Sequence, residues 1–382
     1  MDLTINPKYP SIEALQERAR RRIPGFAMDY LEGGCNEEVN LRRNTEDIRT
    51  VQLIPQYLKP YSGADLSTEL FGHTYAAPFG VSPIGLQGLM WPRASEILAK
   101  AAYEHNIPYV LSTVGTASLE TIAEITEGHA WFQLYHPKEE SLRKALLDRA
   151  KAAGYQVLVI LSDVPTFGYR AKEIRNGLSL PPRMTTRNVR QILGSPTWAL
   201  QTLAAGSPTF KTLTPYIPKG LSLRHLGQFM NRTFDGRLNE ERIRAIRAEW
   251  PGKLVLKGVA HPADVELAIA CGLDGIVLSN HGGRQLDAGL SSMATLPQIS
   301  AHYGDQITVM LDSGIRSGPD IARVMASGAK FTFLGRSFMY GVAALGKAGG
   351  QQVTAMLKLQ LKQVLEQVGA ERVGDLPGSL VR

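Results

Sequence analysis

The stretch SNHGGRQLD puts Asn280 and His281 at the end of a short apolar run, with two glycines before Arg284. An imidazole that is neutral near pH 7 can take a proton from an alcohol or from the carbon that bears it. A guanidinium a few residues on offers a two-pronged fork for a carboxylate. A lone histidine is more often a structural residue, so the reading depends on its company. That company lies in LDSGIRSGPDI and FLGRSF, where Ser313, Gly314 and Gly335 free backbone N–H groups beside Arg316 and Arg336. Turns of this kind with an arginine hold a phosphate through charge-assisted hydrogen bonds.

These residues need a scaffold that brings distant stretches to one place. From Pro78 onward, short runs rich in Val, Ile and Phe alternate with amphipathic segments, the pattern of repeated βα units around a parallel sheet. Eight strands are expected: Phe79–Pro83, Tyr109–Ser112, Ala130–Tyr135, Val157–Asp163, Leu254–Gly258, Gly275–Asn280, Ile307–Asp312 and Phe331–Gly335. Helices are expected between them, among them Ala94–His105, Lys138–Ala153, Asn239–Trp250, Pro262–Cys271 and Pro319–Ser327. In AAGYQVLVI, ACGLDGIVL and ASGAKFTFL a glycine ends a helix just before a strand starts. Eight successive units fit an α/β fold of the TIM (β/α)8 barrel type better than a doubly wound open sheet. The chain is then one barrel domain over 1–382, with an N-terminal helical extension (1–77) and a long insertion after the fourth strand (166–237). Barrel active sites form at the C-terminal strand ends, with phosphate sites after strands seven and eight. The residues there are Gly85, Ser112, Gln133 with Tyr135, Asp163, Lys257, His281 with Arg284, Asp312 with Arg316, and Gly335 with Arg336.

Composition excludes several classes. The 382 residues are 44% hydrophobic and 20% charged with 37 glycines, a packed globular chain rather than a disordered one. Apolar runs such as Val157–Leu161 are far shorter than the roughly 20 residues of a bilayer span, and the charged N-terminus is unlike a signal peptide, so a cytoplasmic protein is expected. Cys35 and Cys271 have neither disulfide-framework nor metal-ligand spacing, and no metal is expected. The net charge of +7 is concentrated: between Arg183 and Arg232 lie seven cations, Arg183, Arg187, Arg190, Lys211, Lys219, Arg224 and Arg232, and no acid. With no recognised module beside this charge, nucleic acid is not an expected partner. Trp198, Phe210, Tyr216 and Phe229 in the same segment suit the interface of an anionic membrane, and a lid or a subunit contact is the other reading.

Together SNHGGRQLD, LDSGIRSG, FLGRSF, WFQLY and PIGLQGLMWP closely resemble the FMN-dependent α-hydroxy acid dehydrogenases and oxidases, over nearly the whole chain. Within that family SPTWALQTL and FMNRTFDGRLNEERIRAI look most like the L-lactate dehydrogenases. The resemblance implies FMN-dependent oxidation of an L-2-hydroxy acid to the 2-oxo acid, with quinone, cytochrome or oxygen as electron acceptor, and a homotetramer. It implies His281 as the base, Asp163 as its partner and Tyr135 at the substrate hydroxyl. Tyr30, Arg170 and Arg284 would bind the substrate carboxylate. Pro83, Ile84, Gly85, Ser112, Gln133 and Lys257 would contact the flavin, and Asp312, Gly314, Arg316, Gly335 and Arg336 its ribityl phosphate.

There is one departure. Where the family commonly has threonine two residues before Asp163, this chain has Leu161, on the same strand face as Asp163. A missing flavin hydrogen bond there is worth roughly 0.5–1.5 kcal/mol, enough to tune the flavin but not to abolish binding. An oxygen-using oxidase of the glycolate or mandelate type is the nearest rival. A barrel isomerase or aldolase acting on a phosphorylated substrate, with Lys257 forming a Schiff base, is a more distant one. An inactive scaffold fits poorly with base, clamp and electron sink all present.

Overall fold

A computed structural model describes residues 5–178, 183–217, 233–234 and 237–381. Among the described residues ten strands run β1 (Thr68–Leu70), β2 (His73–Tyr75), β3 (Phe79–Val81), β4 (Val110–Ser112), β5 (Trp131–Leu134), β6 (Val157–Leu161), β7 (Lys253–Val259), β8 (Gly275–Leu278), β9 (Thr308–Leu311) and β10 (Phe331–Leu334). The last eight form one parallel sheet in the order β3-β10-β9-β8-β7-β6-β5-β4. The parallel bridge Val81↔Tyr109 joins its two edges, so the sheet is a barrel and the open alternative is excluded. All eight expected strands are present; seven are trimmed by a residue or two at one or both ends, where pairing stops, and β7 is longer by one residue at each end.

The glycine signal works as read. Helices Glu140–Ala152, Pro262–Ala270 and Gly318–Ala326 are each followed by a glycine in the left-handed region (Gly154 φ 88, Gly272 φ 71, Gly328 φ 110), which ends the helix before β6, β8 and β10. Inside the barrel Val110, Trp131, Val157, Val159, Val255, Val277, Met310, Phe331 and Phe333 pack as one cluster. A much larger apolar layer lies between barrel and helices.

The extension, expected to be helical over 1–77, is helical only in its first part. After α1 (Ile12–Arg22), α2 (Gly25–Glu32) and α3 (Val39–Thr50) the chain ends in the hairpin β1–β2, whose Leu70 and Tyr75, with Phe71, plug the bottom of the barrel. The insertion starts with the short helix Ala171–Arg175 and continues through Thr186–Leu193 and Pro196–Ala205. Its first helix is tied to the extension by Lys172–Glu38 (2.8 Å) and by Asn176 Nδ2 donating to Asp29 Oδ2 (2.7 Å). Gln191 Oε1 accepts from the N–H of Phe26 (2.8 Å), satisfying the start of α2, where no local side chain caps the helix.

Trp198 corrects an expectation. It is buried, donates to Leu89 O (3.1 Å) and meets Phe26 edge-on, so it anchors the insertion to the barrel and is not at a membrane surface. Phe210 and Tyr216 are partly buried against the core. Lys219, Arg224, Arg232 and Phe229 lie outside the described residues. Cys35 and Cys271 are buried free thiols.

Candidate active site

A cavity of about 850 Å³ opens over the C-terminal strand ends and is roofed by α2 and the two longer insertion helices. Pro83, Ile84, Gly85, Ser112, Gln133, Tyr135, Lys257, His281, Arg284, Asp312, Gly314, Arg316, Gly335 and Arg336 all line it, as do Tyr30, Arg170 and Leu161. Asp163, expected beside them, stands directly behind His281. The insertion therefore does act as a roof, lining the cavity with Leu178, Ile192, Trp198 and Phe210.

His281 sits at the end of β8 with φ 58, held by its own N–H on Ser279 Oγ (3.1 Å). Its Nδ1 lies 3.0 Å from Asp163 Oδ1. A carboxylate only accepts, so Nδ1 carries the proton and the lone pair is on Nε2, toward the cavity. Burial pushes the His281 pKa below its ordinary value, with Asp163 pulling the other way, so the ring is neutral at pH 7. For Asp163, burial works against ionisation, but His281 and Lys257 outweigh it and hold the carboxyl below the usual range. Lys257, on β7, lies 3.1 Å from Asp312 Oδ2, 3.7 Å from Asp163 Oδ2 and 2.7 Å from Ser279 Oγ. Burial opposes its charge, yet the two carboxylates raise its pKa, and it remains an ammonium.

Arg284 is fixed from behind: Nη1 donates to the carbonyls of Tyr30 (2.9 Å) and Gly33 (2.7 Å), and the guanidinium lies 5.0 Å over the Tyr30 ring. Arg170 donates through Nη2 to Gln285 Oε1 (3.1 Å). Tyr30 and Tyr135 are both pushed above the ordinary phenol value, chiefly by burial, and keep their protons.

At the ends of β9 and β10 the residues fit a phosphate. Among the described residues neither Arg316 nor Arg336 has an acidic ion-pair partner; Arg336 donates to the carbonyls of Leu31, Gly33 and Gly282 instead. Burial, reinforced by the neighbouring arginines, lowers the Arg336 pKa. Two cations packed without counter-charge are stable beside a bound anion. Gly282 (φ 69) is needed here, since a Cβ would stand 2.6 Å from Arg336 Nη1. At the barrel centre Gln133 Oε1 accepts from Ser112 Oγ (3.0 Å), while its buried Nε2 has no hydrogen-bond partner and is a donor awaiting a ring heteroatom. Both observations suit FMN. Gly85 is explained by the protein itself, because a Cβ there would lie 2.9 Å from Val114 Cγ2.

Reading strand ends alone missed three groups. Glu173 bridges Arg170 and Arg284. Ser279 joins Lys257 to His281. The reciprocal amide pair Asn44–Asn280 (2.8 and 2.7 Å) ties α3 to the end of β8. Among the described residues no cluster of three or more His, Cys, Asp or Glu could hold a metal ion.

A family model described as FMN-dependent dehydrogenase matches residues 19–382. An L-lactate dehydrogenase of Pseudomonas syringae is 36% identical over 364 residues, 95% of this chain and 96% of that one. One of Xanthomonas axonopodis is 37% identical over 359 residues, 94% and 92% of the two chains. Among solved structures, the monotopic membrane protein (S)-mandelate dehydrogenase superposes with a TM-score of 0.92 at 34% identity, covering 97% of this chain and 98% of that one. A mandelate oxidase gives 0.84 at 30% identity, with 98% of each chain covered.

Proposed function

The chain belongs to the family of FMN-dependent dehydrogenases, and from that premise we propose that it oxidises an L-2-hydroxy acid, L-lactate first, to the 2-oxo acid in this cavity. The observation that carries the reading is the His281–Asp163 pair, which leaves an unprotonated Nε2 on the cavity wall beside two arginines. Arg170, Arg284 and Tyr30 bind the substrate carboxylate. Tyr135, neutral through burial, hydrogen-bonds the hydroxyl. His281 Nε2 takes the proton, and Asp163 stabilises the imidazolium and keeps the ring in register. Pro83, Ile84, Gly85, Ser112, Gln133 and Lys257 hold the ring system of FMN, and Asp312, Gly314, Arg316, Gly335 and Arg336 its phosphate end. Bound FMN supplies the two-electron sink, and the Lys257 ammonium is placed to stabilise the negative charge that reduction brings. Anaerobic stopped-flow mixing of the yellow enzyme with L-lactate, glycolate, (S)-mandelate and L-malate tests this. Bleaching of the flavin band by L-lactate is expected; no bleaching by any of the four refutes the reading.

For the acceptor we propose a membrane quinone, reached by peripheral binding. Met184, Val189, Leu193, Leu200 and Leu203 are exposed on the insertion, interleaved with the exposed cations Arg183, Arg187 and Arg190. Apolar side chains among cations suit an anionic bilayer surface, whereas a lid alone would bury them. Among the described residues no helix is long and apolar enough to cross a membrane. Co-sedimentation with phosphatidylglycerol vesicles should occur at low salt and be lost on changing the three arginines to Gln. Unchanged sedimentation of that variant would leave the surface to a subunit contact. A homotetramer is part of the proposal and is read by analytical ultracentrifugation.

A further inference from the structure

Behind the cavity wall, against the two arginines that line it, stands a carboxylate of the protein's own. Glu173 Oε1 accepts from Arg284 Nη2 at 2.5 Å and stands 3.5 Å from Arg170 Nη1. All three side chains are largely buried, exposed by 12% for Glu173, 15% for Arg170 and 13% for Arg284. Both hydrogens of Arg284 Nη1 are taken by the carbonyls of Tyr30 and Gly33, and Glu173 takes one from Nη2. The Nε–H and one Nη2–H remain, among the described residues, as the fork for an incoming carboxylate. Arg170 is likewise committed through Nε to Arg284 O and through Nη2 to Gln285 Oε1.

Two guanidiniums this close repel: after burial, the Arg284 charge is the largest influence lowering the Arg170 pKa. One glutamate cancels one of the two charges, and the pair plus Glu173 carries +1. A single substrate carboxylate brings that to zero. A second carboxylate on the same ligand would add a negative charge beside Glu173 in a half-dry site, where interactions between charges are several-fold stronger than in water.

Resting on the reading of Arg170 and Arg284 as the substrate clamp, we infer that Glu173 is a specificity-determining residue. It sets the clamp to a single net positive charge and thereby selects 2-hydroxy monocarboxylates over 2-hydroxy dicarboxylates. Its neighbours leave it few alternatives. It belongs to the short helix Ala171–Arg175, which Lys172–Glu38 and Asn176–Asp29 pin to the extension, so the carboxylate is delivered to the arginines by a fixed backbone.

The test uses unreactive anions, so it is independent of whether any hydroxy acid reduces the flavin. FMN-loaded enzyme is titrated calorimetrically with propanoate and with malonate, a monoanion and a dianion of equal carbon count. In the parent, malonate should bind no more than about tenfold tighter than propanoate. In Glu173→Gln the malonate-to-propanoate affinity ratio should rise by about tenfold or more, the scale of one part-buried charge pair. Glu173→Asp, which keeps the charge, should stay near the parent ratio. A ratio in Glu173→Gln within threefold of the parent, at an unchanged melting temperature, overturns the inference. If Glu173→Gln does not fold, the parent titration decides, and a parent that binds malonate a hundredfold tighter than propanoate overturns it equally. A parent whose flavin no hydroxy acid bleaches would instead remove the proposed activity and leave this charge measurement standing.

Discussion

The bottom and the mouth of the barrel interior are built from the same strands, on the same inward face, and could hardly differ more in chemistry. Along β7, Val255 joins the apolar cluster, while Lys257, two residues on and facing the same way, meets Asp163 and Asp312. On β9 the pair is Met310 and Asp312, and on β10 Phe331 and Phe333 are followed by Gly335. At the bottom the hydrogen bonding is closed: Trp131 Nε1 donates to Tyr75 O–H (3.2 Å), and burial pushes the Tyr75 pKa up to about 12. At the mouth Gln133 Nε2 has no partner, and Asp163 Oδ2 has no hydrogen-bond donor, only the Lys257 ammonium 3.7 Å away. One end of each strand thus supplies packing, and the other keeps polar groups under-satisfied for a ligand to complete. A two-residue step along a strand is enough to pass from one regime to the other.

If that division is real, mutations at the two ends should separate stability from chemistry. His281→Gln should slow flavin reduction on the order of 10²- to 10⁴-fold, the usual contribution of a general base, with FMN still bound and the melting temperature little changed. Met310→Ala, at the bottom, should cost about 2–5 kcal/mol of stability in denaturant titrations while the surviving folded enzyme reduces its flavin at the parent rate. Asp163→Asn should slow reduction by roughly ten- to a hundredfold. It should also move the acid limb of the rate profile to lower pH, because the Asp163 charge is what raises the His281 pKa against burial. Tyr75→Phe, which removes only the hydroxyl that accepts from Trp131 Nε1, should lower stability by about 1–3 kcal/mol and leave kinetics alone. A pH series sharpens the same contrast. The folded His281 pKa lies below its unfolded value, so the unfolded chain binds the extra proton first, and stability falls as pH drops below the ordinary histidine range. Asp163, lowered in the fold, contributes stability above the ordinary carboxylate range that is lost as pH falls through its folded pKa. Met310→Ala should preserve this pH dependence, and His281→Gln should remove the share that His281 contributes, leaving that of His105, which burial also lowers.

The mouth was easier to read from sequence than the bottom, for a physical reason. Strand ends in βα units are marked by apolar runs and glycine caps, so Asp163, Lys257, His281, Asp312 and Arg336 could be assigned to one face from position alone. The hairpin that plugs the bottom is two strands of three residues, Thr-Glu-Leu and His-Thr-Tyr, too short and too polar to show a period. Trp198 was misplaced because aromatics among cations look alike whether they face lipid or a neighbouring helix; only Phe26 and the Leu89 carbonyl decide it. Glu173 is the only acid between Asp163 and Asp235, yet it lies beyond the strand end on a short helix, and it matters only because folding sets it between two arginines.

The carbonyls that hold Arg336 belong to Leu31 and Gly33, 305 and 303 residues earlier in the chain. During synthesis at roughly 5–20 residues per second, those carbonyls wait on the order of 15–60 s before their partner exists. A nascent chain halted before Arg336 would therefore have the partners of α2 at Gln191, Trp198 and Arg284 but lack the guanidinium that ties Leu31 and Gly33 to the phosphate end of the site.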